Sequence, residues 1–198
     1  MITDGDTVLV TPEAIENHIL DYFSNIFGNH NACMPNSLIS EVILSLVTTD
    51  DNFFLTNLPL ALEIKTAVFD LNDDGPPGLD GYGGHFYQFF WDIIEHDVVM
   101  SVQHFFQTCS LLSNLNSNTI ILIPKVKGAT SMGDFWPIAL ANFQFKIITK
   151  ILADRLASIT SRIISPNQRG FIRDRHIFDC VILASEAINI LDRKQFGG

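Results

Sequence analysis

Basic residues are almost missing from the first 118 positions of this 198-residue chain. Lys65 stands alone there against 16 acids, a net charge of −15. From position 119 onward the balance reverses to 11 basic residues against six acids, a net +5. The overall −10 argues against a generic nucleic-acid binder coated in cations. The asymmetry points instead to nucleic-acid contact confined to the C-terminal part. Cysteine is scarce as well: Cys33, Cys109 and Cys180 lie far apart with no CxxC pair. That spacing disfavours structural zinc and a disulfide framework, and implies reduced thiols in an intracellular compartment, nuclear or cytoplasmic. The acidic start MITDGDTVLV puts no basic segment ahead of an apolar one, so a secreted protein is not expected. No apolar run approaches the roughly 20 residues that cross a bilayer, so no membrane partner is expected.

Catalytic signatures are missing too. The chain has no GxSxG, no HExxH and no glycine-rich loop ending in Gly-Lys-Ser/Thr. Its six histidines are dispersed, and His85, His96 and His104 have no carboxylate or cysteine partner at ligand spacing, so no metal site is expected. Two acidic pairs, Asp50-Asp51 and Asp73-Asp74, invite a two-metal reading. Both are expected in turns beside helix ends, as solvated residues rather than ligands on rigid elements.

What remains is enough for a core. Apolar residues make up 47% of the chain and charged ones 17%, which excludes a disordered segment. The fold class expected is α+β and helix-rich, with one small β-hairpin near residues 119–140. There the β-branched run Thr119-Ile120-Ile121-Leu122-Ile123 is stopped by Pro124. Lys125, Lys127, Gly128 and Gly133 follow, before a second apolar run at Ile138-Ala139-Leu140. This pattern predicts two strands joined by a basic, glycine-containing loop.

Helices are expected on either side. Thr11-Pro12-Glu13 opens one that Gly28 ends, with Ile15, Ile19, Tyr22, Phe23, Ile26 and Phe27 at helical spacing. A polar loop spans Asn29–Ser37, and a short helix runs Leu38–Leu46. Pro59 starts a helix with Leu62, Ile64, Ala67, Val68 and Leu71 facing a core and Lys65 on the wet side. Asn72–Gly84 holds two prolines and five glycines and reads as loop. Helices at His85–Glu95 and Asp97–Cys109 come next. Ala141–Ile163 is a long amphipathic helix with Phe145, Ile148, Ile151, Leu152, Leu156, Ile159 and Ile163 inward, and with Lys146, Lys150, Asp154, Arg155 and Arg162 on the remaining surface. Asn167–Arg175 reads as a basic loop or short hairpin, and His176–Leu191 as a final helix with Ile177, Val181, Ala184, Ile188 and Leu191 inward. Arg169, Arg173 and Arg175 around Phe171 suit a phosphate backbone and a stacked base.

Four blocks of this sequence resemble the reverse transcriptase of plant LINE-type (non-LTR) retrotransposons, in that family's order and over nearly the whole chain. They are Ala67-Val68-Phe69 with Pro77-Gly78-Leu79-Asp80-Gly81-Tyr82; Leu122-Ile123-Pro124-Lys125 with Phe135-Trp136-Pro137-Ile138-Ala139-Leu140; Phe145 through Leu156; and Ile164 through Arg175. The resemblance implies a helical segment over 1–72 and, over 73–198, a partial reverse transcriptase domain of fingers and first palm helix. It also implies an RNA template or RNA/DNA hybrid as partner. Lys125, Lys127, Arg173 and Arg175 would meet nucleotide phosphates. Pro77, Gly78, Asp80, Gln168, Gly170 and Phe171 would lie beside the template.

The departures from the family pattern are specific. Trp136 stands where the family has an arginine that clamps the triphosphate, a loss on the order of 1.5–3 kcal/mol. Asp174 stands where glycine precedes the arginine, and Leu79 replaces a proline. The family's first catalytic aspartate and its aromatic-Ala-Asp-Asp hairpin are not among these residues. The reading is therefore a fragment of an RNA-directed DNA polymerase, inert by itself, with no cofactor held by this chain and magnesium belonging to the intact enzyme. Two alternatives stand beside it: a non-catalytic RNA-binding module, and a helical interaction fragment that self-associates through exposed apolar surface.

Overall fold

A computed structural model of the chain describes residues 2–4, 7–28, 37–43 and 45–195. Two short strands, β1 (Ile2–Asp4) and β2 (Thr7–Leu9), pair antiparallel ahead of the helices. Then come α1 (Pro12–Gly28), α2 (Leu38–Val42), α3 (Thr49–Thr56), α4 (Ala61–Asp70), α5 (Gly84–Phe89) and α6 (Trp91–Thr108). β3 (Asn118–Pro124) and β4 (Phe135–Ala141) form an antiparallel hairpin, followed by α7 (Phe143–Ile163) and α8 (Ile177–Gln195). The chain is thus α+β and helix-rich, with its hairpin at the expected place. Among the described residues no helix is long and apolar enough to cross a membrane. The polar loop expected from Asn29, and Cys33 within it, lie outside the described residues up to Ser37.

Local chemistry accounts for the element ends. Thr11 Oγ1 accepts the Ala14 N–H at 3.2 Å, capping α1 ahead of Pro12. The Asp50-Asp51 pair is not in a turn as expected. It opens α3, where Thr48 and Asp51 cap each other's backbone reciprocally. The expected start at Pro59 moves to Ala61, with Pro59 buried and its carbonyl accepting Gln103 Nε2 at 2.9 Å. The break between the aromatic helices falls at Phe90, not near His96, because Phe90 leaves helical geometry at φ −96°, ψ 15°. α2 ends at Val42, short of the expected Leu46.

The core forms where α4, α5 and α6 meet α7. Ile64, Val68, Val102 and Ile147 are wholly enclosed, with Trp91, Phe143, Ile148 and Ile151 nearly so. Each fully buried aliphatic of this size contributes about 1.5–3 kcal/mol. The buried row of α7 runs Phe143, Ile147, Ile151, Arg155 and Ile159, every fourth residue. Three expected core positions, Leu152, Leu156 and Leu62, stay 40%, 46% and 73% exposed.

Arg155, expected on the wet face, is instead buried. Its Nε and Nη2 meet Glu63 Oε1 and Oε2 at 2.6 and 2.8 Å, and Nη1 donates to the Asn57 carbonyl at 2.6 Å. The Phe106 ring lies 5.0 Å from its guanidinium carbon. Burial is tolerated because the planar fork finds a two-point carboxylate and backbone oxygens at once.

α8 also departs from expectation. Ile177, Val181, Ile188 and Leu191 are between 53% and 65% exposed, so its apolar side chains are not enclosed in the core.

Candidate nucleic-acid interface

The residues singled out in the sequence fall into three groups along the line of β4 and α7. The first is the hairpin tip. The register sets Ile123 opposite Trp136 and Pro124 opposite Phe135, so the loop between them starts at Lys125. The Lys125 N–H donates to the Asp134 carbonyl at 2.7 Å, extending the ladder by one bond. Its Nζ donates to the Gly133 carbonyl at 2.7 Å and sits 4.4 Å from the Trp136 ring centroid. Lys127 is exposed two residues further on. Met132 closes the base of the loop at 3% exposure. Beneath the tip, a cavity of about 210 Å³ brings Lys125 and Trp136 together with Tyr22 and Phe27 of α1.

The second group is the loop from Asn72 to Gly84, seated on the junction of β4 and α7. Gly78 lies against that junction, where a methyl group would come within 2.6 Å of the Ala141 carbonyl carbon and closer still to Asn142. Only glycine fits such an approach. The Asp80 N–H donates to Asn142 Oδ1 at 3.3 Å, and Lys146 Nζ to the Pro76 carbonyl at 2.9 Å. Asp80 Oδ1 accepts the Tyr82 N–H at 3.1 Å, a tight turn that Gly81 permits at φ +78°. Pro77 remains exposed on the outer side. Tyr87, stacked on Phe143 beneath this loop, has its hydroxyl pushed up to about 12 by burial, with the nearby Asp80 and Tyr82 adding to it.

Asn142 is the residue that the sequence reading missed. It is 5% exposed, and its Nδ2 donates to the Asn114 carbonyl at 3.1 Å. An asparagine ahead of a helix ordinarily caps it. This one makes no cap bond and instead ties the Pro77–Tyr82 loop, the turn before β3 and the start of α7 together. Its position between a strand and a helix was the available signal, and that signal pointed to the wrong task.

The third group follows α7. No strand forms between Ile164 and His176, so the alternative of a short hairpin is excluded and the segment is a run of turns. Arg175 is committed to backbone. Nη1 donates to the Ser165 and Gln168 carbonyls at 2.7 and 2.9 Å, and Nη2 to Ser161 at 3.1 Å. It thereby satisfies carbonyls left open at the end of α7. Gln168 Nε2 bonds the Gly170 carbonyl at 3.1 Å. Phe171 is fully exposed at φ +63°, a conformation that aromatic residues seldom hold. Asp174 shares the left-handed region at φ +61°. Arg169 pairs with Asp179 at 3.7 Å. Arg173 shares a cavity of about 420 Å³ with Asp70, Lys150 and Asp154.

The structure therefore joins some of these residues and separates others. Gly78 and Asp80 meet the junction of β4 and α7 directly, and Pro77 lies beside them on the outer side. Lys125 and Lys127 stand at the beginning of β4, about 20 Å away for a seven-residue strand. The third group follows the far end of α7, with Arg173 folded back beside Lys150 and Asp154 of that helix.

Magnesium, which the family resemblance implies, finds no fitting ligand set in these residues. Among the described residues no group of three His, Cys, Asp or Glu is placed to hold a metal ion. Asp51 is already engaged by Thr48 and by the Arg162 guanidinium, which holds its carboxyl well below the usual range.

No protein-family model matches the chain. It is similar to the Transposon TX1 uncharacterized 149 kDa protein of Xenopus laevis, at 25% identity over 98% of this chain. The matched part is 15% of that protein, so the chain spans under a sixth of the curated relative's length, and the likeness supports a transposon origin.

Proposed function

We propose that the chain is the template- and nucleotide-facing portion of a reverse transcriptase from a LINE-type retrotransposon. It grips an RNA template or RNA/DNA hybrid, and the catalytic carboxylates come from outside these residues. The observation that carries the reading is the seating of the Pro77–Tyr82 block on the junction between the second and third blocks, where the Asp80 N–H donates to Asn142 Oδ1 across 62 residues of sequence. The loop that the resemblance sets by the template is seated at the end of β4, and Lys125 lies beside the start of that strand, its N–H on the Asp134 carbonyl. The transposon likeness over almost the whole chain supports the same reading.

In this reading Lys125 and Lys127 supply charge to phosphate. Pro77, Gly78 and Asp80 border the template. Arg175 acts from within, fixing the turn on which Gln168, Gly170 and Phe171 meet the strand, and Arg173 is the cation of that turn left at a cavity. Filter binding with an RNA template annealed to a DNA primer tests the grip, and primer extension with magnesium tests the division of labour. Binding without extension is expected. Extension by this chain alone contradicts the division, and no binding at low salt contradicts the grip.

One observation favours a second reading, a helical interaction fragment. Phe178, Leu183 and Leu191 of α8 are 69%, 72% and 65% exposed, more apolar surface than a solvated helix carries.

A further inference from the structure

Trp136 is an unusual residue to leave in water. It is 58% exposed, whereas Trp91, the other tryptophan, is 2% exposed in the core. Its indole is held in place on two sides. The backbone of β4 fixes it opposite Ile123, and the Lys125 ammonium sits 4.4 Å from its centroid. Lys125 is in turn fixed by the Gly133 carbonyl at 2.7 Å and by its own N–H on Asp134 at 2.7 Å. An ammonium has three N–H donors. One goes to Gly133 and one is turned to the ring, which leaves one for an incoming anion. More than half the residue is exposed, and it borders the cavity it shares with Tyr22 and Phe27, so the indole is accessible to a planar ligand.

An exposed aromatic ring with an ammonium against it matches a nucleobase with its phosphate, because every base has a π-face and a backbone anion beside it. Lys127, exposed two residues on in the turn of the same loop, offers a second cation for a further phosphate. The net +5 of residues 119–198 favours an anionic strand over an acidic-poor partner.

We propose that Trp136 is a stacking platform for a nucleobase of single-stranded nucleic acid, with Lys125 and Lys127 receiving the phosphates on either side of that base. This deepens the function proposed above and rests on it. The residue that stands in place of a clamping arginine would bind through the base rather than through the triphosphate.

The two tryptophans make the test direct, since an oligonucleotide can reach Trp136 and not Trp91. The full chain is titrated with oligouridylate while emission is followed, and binding is measured in parallel by anisotropy of a labelled copy. Uridine triphosphate forms a second arm. Emission is expected to fall in step with binding. Trp136→Ala is expected to weaken binding about ten-fold and abolish the quenching. Trp136→Phe, which keeps a ring on the same strand and guards against misfolding of the alanine variant, is expected to bind within about three-fold of the native chain. Quenching in either arm supports the platform, and the arm that saturates at lower concentration identifies strand or free nucleotide as occupant. RNA binding with unchanged emission, or with equal affinity in Trp136→Ala, overturns the platform and leaves the broader reading standing. Absence of binding at low salt overturns both. Equal quenching by an acidic peptide overturns the assignment to nucleic acid.

Discussion

Arg155 of α7 reaches Glu63 of α4 across 92 residues of sequence and meets it at two points, 2.6 and 2.8 Å. This pair and the carbonyls of Leu55 and Asn57 join the α3–α4 connection to the central helix. Arg155→Ala leaves Glu63 and those carbonyls without their donors, and removing one partner of such a pair costs about 3–5 kcal/mol. Urea denaturation should show that loss. Arg155→Lys should recover only part of it, since an ammonium cannot make the two-point contact.

Gly78 and Asn142 form one contact and should behave as one unit. Gly78→Ala drives a methyl group into the Ala141–Asn142 backbone, an overpacking worth about 1–3 kcal/mol. Asn142→Ala leaves the Asp80 N–H and the Asn114 carbonyl unpaired, again about 1–3 kcal/mol. In a double-mutant cycle the pair should cost clearly less than the sum, because either change already unseats the loop.

The hairpin was legible because its signals are local. A β-branched run, a proline, a glycine-bearing loop and a second apolar run lie between Thr119 and Leu140 and need no distant partner. The start of α1 was legible for the same reason, Thr11 and Pro12 being adjacent. The fate of Arg155 was not. A charged residue in an amphipathic helix reads as solvated unless its partner is known, and Glu63 lies two helices and a hairpin earlier in the chain. Asn142 and Arg175 share that difficulty: their side chains bond backbone groups, which carry no residue-specific signature. The exposure of α8 was also hidden, since an apolar stripe announces that a helix is to be covered but not by what.

Acid should weaken the α3–α7 contact. The Asp51 carboxyl is depressed from its ordinary value of 3.8 by Arg162 first and by Thr48 next. A depressed carboxylate contributes stability that is complete above its unfolded value and is lost as pH falls through the folded one. Thermal melts should therefore be level above about pH 5 and decline below 3.8. Asp51→Asn should begin lower and lose less over the same acid range.

Alkali should act at Tyr87 with the opposite sign. Burial raises its hydroxyl from 10.0 to about 12, so the folded chain keeps a proton that the unfolded chain releases. Stability should be complete below pH 10.0 and fall as pH rises toward 12. Tyr87→Phe should remove that component of the decline.

α8 should make the isolated chain adhesive. Leu183 and Ile190 are 72% and 51% exposed, so Leu183→Glu with Ile190→Glu should change stability by no more than about 0.5 kcal/mol each while reducing binding of a hydrophobic dye several-fold. Size-exclusion chromatography of the native chain should show association that grows with concentration. A compact, dye-silent monomer contradicts this picture of α8.

The most direct test of the central claim is the salt dependence of single-stranded RNA binding. The slope of log affinity against log salt should be negative, at about −0.7 for each phosphate neutralised. Lys125→Ala with Lys127→Ala should flatten it by about 1.4, because two phosphate contacts are lost. A slope unchanged in that double variant, or no binding at low salt, contradicts the account.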